Sequence, residues 1–152
     1  MREELDKKLC EAFPILYQQR NMNMSQTAMC WGFSHGDGWF DLIWNLSEKL
    51  ENINKSLPSD GDLFVVATQV KEKFGTLRFY TGGIPSSVSE EVYKLINEAE
   101  SISGVTCEEC GKDGKSRTGG WVKTLCDDCV KPITPKEKEF ADKHFYRKKE
   151  GL

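Results

Sequence analysis

The chain has 152 residues, a net charge of −3, and 38% hydrophobic against 30% charged side chains, the balance of a water-exposed protein with room for one domain and an appendage. No run approaches the roughly 18 apolar residues of a membrane span. The first residues, Met1 to Lys8, lack the apolar core of a secretory signal, so a reducing cytosol is expected, with the six cysteines as thiols.

Leu5, Leu9, Ala12, Phe13, Leu16 and Tyr17 recur at helical spacing and predict an amphipathic helix over 3–19, kinked or restarted at Pro14. A polar, glycine-containing stretch follows, with Cys30-Trp-Gly-Phe-Ser-His-Gly-Asp-Gly-Trp39 reading as a compact structural turn. Asp37 is then placed to cap a second helix. Trp39, Ile43, Leu46, Leu50 and Ile53 form its apolar stripe, and it should end near Leu57-Pro58.

The period changes after Gly61. Leu63 to Val70 and Gly75 to Thr81 read as the two strands of a β-hairpin, with Lys71-Glu72-Lys73 as the turn. Gly82-Gly83 ends the hairpin, and Ser87-x-x-Glu90 is a capping box for a third helix. Val88, Val92, Leu95, Ile96, Ala99 and Ile102 supply its buried face, closed by Ser103-Gly104.

Cys107-x2-Cys110 and Cys126-x2-Cys129 are separated by fifteen residues, the spacing of a four-thiolate zinc site. Each pair brings two sulfurs to one turn, and the connecting hairpin joins the turns. Four protein ligands leave no coordination position for water or substrate, so one structural Zn2+ is expected, ligated by Cys107, Cys110, Cys126 and Cys129. Beyond the site, Thr134-Pro135 marks the start of a terminal helix that Phe140, Ala141, Phe145 and Tyr146 could anchor. The expected architecture is therefore α+β. Residues 1–104 form a body of helices around a short antiparallel hairpin, 105–130 a zinc-ribbon-like module, and 131–152 a basic, partly helical tail.

Charge separates along the chain. Residues 1–129 carry 14 basic and 20 acidic side chains; residues 130–152 carry 7 basic and 4 acidic. An acidic zinc segment is a poor phosphate binder, so direct nucleic-acid binding is not expected. The alternative function, a nucleic-acid-binding or regulatory zinc ribbon, would use Lys115, Arg117, Lys123 and the basic tail.

Cys30, His35 and Asp37 or Asp41 contain the groups of a nucleophilic site or a second metal site. No nucleophile signature surrounds them, and with only His35 and His144 in the chain no His-based catalytic metal set can form. No enzyme is expected. Cys10 and Cys30 read as small buried hydrophobes. Phe40 and Trp44, four apart on the second helix, lie beside its stripe. They are either part of a wide buried face or an exposed partner patch, as are Phe79, Tyr80 and Trp121.

Met29-Cys-Trp-Gly-Phe33 with Gly36-Asp-Gly-Trp-Phe40, then Val70-Lys-Glu-Lys-Phe-Gly-Thr-Leu-Arg-Phe-Tyr80, and the cysteine site with Thr118-Gly-Gly-Trp121, occur in this order. Over residues 13–129 the chain resembles a family of small phage and prophage proteins. Zinc-binding proteins of this general kind are found among phage inhibitors of type II-A CRISPR nucleases. The resemblance implies a non-enzymatic anti-CRISPR protein in the host bacterial cytoplasm. It would bind Cas9 and block guide or target-DNA loading. It carries only the four cysteines over, as zinc ligands, and assigns no partner-contacting residue.

Overall fold

Pro14 decides how the first helix ends. In the computed structural model, which describes residues 1–118, 120–131, 135, 136 and 139, α1 spans Glu3–Ala12 rather than 3–19. Phe13 has left helical geometry (φ −127°, ψ 64°), because the proline ring crowds the residue before it. The chain beyond continues as turns, yet it still buries Phe13, Leu16 and Tyr17. Glu51 substitutes for the missing helix bonds: its carboxylate accepts the Ile15 and Leu16 amides at 3.2 and 2.9 Å.

The second helix, α2, spans Phe40–Ser56 and buries the expected stripe, with Trp39, Ile43 and Leu50 wholly inaccessible. Asp37 does not cap it. Residues Asp37–Trp39 form a 3-10 turn, and the Asp37 carboxylate instead accepts the Arg2 amide at 2.8 Å and its guanidinium. Asn54, near the end of α2, brackets Val65 by accepting its amide and donating to its carbonyl, at 2.8 and 2.9 Å.

Two strands and one unexpected partner make the main sheet. Here β1 (Phe33–Ser34) lies parallel to β2 (Val66–Lys73), which pairs antiparallel with β3 (Thr76–Gly82). The hairpin turn is Phe74-Gly75, not Lys71–Lys73, which continue β2 opposite Arg78, Leu77 and Thr76. Both turn residues have positive φ, 55° and 80°, the geometry of a type I′ turn. A two-residue turn of this kind matches the strand twist, so pairing runs three residues further than the charge pattern suggests.

The third helix, α3, spans Ser89–Ser103. The expected capping box does not form: the residue before the helix is Val88, and Ser89 donates to the Ser86 carbonyl. The helix lies along the free edge of β3 and satisfies it. Ser103 accepts the Leu77 amide at 2.8 Å and Glu100 the Phe79 amide at 3.3 Å. That covers an edge otherwise open to strand addition. One apolar cluster joins Leu9 of α1, the α2 stripe, Val92, Ile96 and Ala99 of α3, and Val70, Leu77 and Phe79 of the sheet. Ile102, expected inside, is half exposed.

A second, two-stranded sheet pairs β4 (Lys115–Arg117) with β5 (Lys123–Leu125). The fold is α+β, as expected. The tail helix expected from Thr134 lies outside the described residues apart from Pro135, Lys136 and Glu139. No helix among the described residues is long and apolar enough to cross a membrane.

Candidate metal centre

Cys107 and Cys110 sit on one tight turn, closed by the Gly111 amide donating to the Cys107 carbonyl at 2.9 Å. Gly111 adopts φ 78°, a conformation that favours glycine. Cys126 and Cys129 form the matching turn after β5, with the Cys129 amide donating to the Cys126 carbonyl. The β4–β5 hairpin brings the two turns together. All four sulfurs lie within 4.8 Å of one another, the Cys110 and Cys126 sulfurs at 3.5 Å. This cluster could hold a metal ion. Cys107 and Cys126 are buried, Cys129 half-buried and Cys110 exposed.

Electrostatics differ among the four thiols. Burial opposes ionisation of Cys107, but the amides of Cys126, Cys110 and Glu109 aimed at its sulfur outweigh it and bring the thiol down to about 6. Cys129 is pushed up to about 12, because its proton is shared with the Cys126 and Cys110 sulfurs. A bound cation would replace those shared protons.

The seat of this cluster is the Gly36–Trp39 turn, seventy residues away in sequence. Gly38 donates its amide to the Glu108 carbonyl at 2.7 Å, and Gly36 donates to the Glu108 carboxylate at 3.0 Å. The Trp39 indole donates to the Thr106 carbonyl at 2.9 Å. Neither glycine leaves room for a side chain. A Cβ on Gly38 would run into the Cys107 carbonyl and lie 2.6 Å from the Gly111 nitrogen; one on Gly36 would run into the Glu108 carbonyl. Backbone therefore packs directly on backbone between the body and the first cysteine turn.

Glu108, between the first two cysteines, is 3% exposed. One carboxylate oxygen takes the Gly36 amide; the other faces the Lys123 ammonium at 3.6 Å. Its own amide donates to the Thr124 carbonyl, and the Thr124 hydroxyl donates to the Gly75 carbonyl at 2.6 Å, reaching the β2–β3 turn. Glu108, Thr124, Gly36 and Gly38 were not identified from sequence as parts of this site. Only the glycine pair around Asp37 carries a sequence signal, that of a compact turn.

The other candidate residues do not converge on one reacting centre. Cys30 donates to the Thr27 carbonyl at 3.2 Å. His35 is buried with Nδ1 2.7 Å from the Gly36 carbonyl, while Nε2 has no partner among the described residues. Asp37 is held by Arg2. Burial pushes His35 down to about 4, so its ring is neutral near neutrality. Cys10 and Cys30 are half-buried rather than buried; burial, then the Asp6 carboxylate, push Cys10 up to about 12. Phe40 and Trp44 are partly buried in contact with α1. Trp44 meets Phe13 edge-on at 4.8 Å, and the Lys8 ammonium covers both rings. Phe79 is buried, whereas Tyr80 and Trp121 are exposed.

Comparison with known proteins adds no relative: no family model matches the chain, and no curated protein or solved structure matches it either.

Proposed function

We propose that the four thiolates hold one structural zinc ion and that the protein acts without catalysis, as a metal-braced module that binds another protein. The observation that carries this reading is the closed four-sulfur cluster seated by backbone contacts on the Gly36–Trp39 turn. Zinc–sulfur bonds of about 2.3 Å separate tetrahedral sulfurs by about 3.8 Å, and four thiolates complete that coordination. The observed cluster, with the Cys110 and Cys126 sulfurs 3.5 Å apart and no pair beyond 4.8 Å, fits this donor set. The separate partners of Cys30, His35 and Asp37 also favour a non-catalytic role.

The partner class rests on the three sequence phrases that resemble phage and prophage proteins. It is a Cas9-type nuclease of a type II-A system, inhibited at guide or target-DNA loading. The excess of acidic side chains over residues 1–129 supports it, because the nucleic-acid channels of such nucleases are positively charged. Two measurements test the two parts. Metal analysis should return one zinc per chain, and cobalt should replace it with a tetrathiolate absorption band. A metal-free protein with an unchanged fold would refute the brace. Size-exclusion chromatography with purified Cas9, with and without guide RNA, should show co-elution. Its absence in both states at micromolar concentration would remove the nuclease as partner and leave the metal assignment standing.

A further inference from the structure

We propose that the tip of the β2–β3 hairpin, together with the Trp121 side chain bound to it, forms a stacking platform for single-stranded nucleic acid. This goes beyond the protein-partner reading and does not depend on it.

The first observation is Phe74. It occupies the first central position of the type I′ turn at φ 55°, where asparagine, aspartate and glycine are favoured and a bulky side chain is a backbone outlier. Its ring is 71% exposed, so it fills no core. The fold thus holds a strained backbone in order to present an aromatic face to solvent, and strain of this sort collects at binding sites.

The second observation is the clamp that joins Trp121 to the same turn. Trp121 is 80% exposed, yet its indole donates to the Glu72 carboxylate at 3.2 Å. The other oxygen of that carboxylate accepts the Gly75 amide at 2.6 Å. One side chain therefore ties the loop before β5 to the turn that carries Phe74. The Thr124–Gly75 hydrogen bond fixes the same junction from β5.

The third observation is charge. Residues 66–82 and 114–125 together hold Lys71, Lys73, Arg78, Lys115, Arg117 and Lys123 against Glu72 alone, in a chain of net −3. Lys73 lies over the Phe74 ring at 5.4 Å and Lys71 over the exposed Tyr80 ring at 5.6 Å. Neither lysine has a carboxylate partner among the described residues. Arg78, Lys115, Arg117 and Lys123 do: Arg78 faces Glu100 at 4.0 Å and Lys123 the buried Glu108, whereas Lys115 and its partner Asp127 are well exposed, and surface pairs of that kind exchange at little cost. The expectation against nucleic acid came from the zinc segment taken by itself; the fold sets a basic, aromatic hairpin beside it. Exposed rings with neighbouring ammonium groups suit unpaired bases and the phosphates between them, and stacking tolerates any base sequence.

The test is fluorescence anisotropy of a labelled oligo(dT) of about 16 nucleotides, titrated with the purified full chain at about 50 mM salt. Saturable binding that weakens steeply with salt is expected. Phe74→Asn should weaken it about five- to a hundredfold while raising the melting temperature, because asparagine suits the left-handed turn. Trp121→Ala should weaken it by a similar factor, and Lys73→Ala should lower the log–log salt slope by about 0.7. The absence of saturable binding would overturn the proposal. So would affinity unchanged by both aromatic variants, or equal affinity for duplex DNA, which offers phosphates without free base faces.

Discussion

The body and the cysteine segment are held together by opposite means. In the body, α1, α2, α3 and the mixed sheet close on one apolar cluster, with Leu9, Leu16, Trp39, Ile43, Leu50 and Val70 wholly inaccessible. Among the described residues from Val105 to Val130 the buried ones are Cys107, Glu108, Thr124 and Cys126, while Val105 and Trp121 are exposed. Burial of apolar surface can stabilise the first region; nothing comparable is available to the second. The second has instead polar and backbone contacts with the first and a four-thiol cluster that could hold a metal ion. A small segment without a core of its own can be specific in shape, but only if something other than hydrophobicity closes it.

Stripping the proposed zinc ion should break this contrast most sharply. With a structural tetrathiolate zinc site worth on the order of 10 kcal/mol, chelation should abolish hydrogen-exchange protection across 105–130. The helical circular dichroism of α1, α2 and α3 should persist. Loss of both together would show that the body has no independent stability. Conversely, Leu50→Ala, at a wholly buried position, should cost the body about 3 kcal/mol in chemical denaturation while leaving the zinc stoichiometry of the folded protein unchanged.

His35 sharpens the comparison at the boundary. Burial, with the amino terminus adding to it, holds its pKa down to about 4 against an ordinary 6.5. The unfolded chain therefore binds a proton that the folded one refuses. The contribution of His35 to stability should be flat above pH 6.5 and fall as the pH drops towards about 4, by up to about 3 kcal/mol. Denaturation midpoints of the wild type and His35→Gln across this range should differ in slope. Parallel curves would assign the acid sensitivity to the thiolates alone.

Gly38→Ala probes the seam with a smaller effect. The added carbon meets the Cys107 carbonyl and the amides of Cys110 and Gly111, all backbone. A cost of about 2 kcal/mol and faster metal loss to a chelator are expected. A body substitution that left metal release untouched would show that the two regions are merely adjacent. Phe74→Asn should act in the other direction, raising stability by about 1 kcal/mol through relief of the turn.

Legibility followed the range of the interactions. The α2 stripe, the hairpin and the two cysteine pairs rest on patterns within about twenty residues, and each was readable. The misread details are cases where tertiary partners displaced local ones. Asp37 bonds Arg2 instead of capping α2, and Ser87-x-x-Glu90 leaves its capping box unmade. The stretch after Pro14 exchanges helix bonds for the Glu51 carboxylate. The hairpin turn moved to Phe74-Gly75 because a two-residue turn allows the fullest pairing of β2 with β3.

The chain read alone settles that there is an α+β body followed by a four-thiol cluster, since periodicity and cysteine spacing are short-range and carry their chemistry with them. It does not reveal that Gly36 and Gly38 form the floor beneath Cys107, or that Glu72 binds Trp121 to the Phe74 turn. Those contacts join residues about fifty to seventy positions apart through backbone shape and single hydrogen bonds, which leave no periodic trace. Only packing of the hairpins and the turn against one another turns a cysteine motif into a seated site with an aromatic, basic tip.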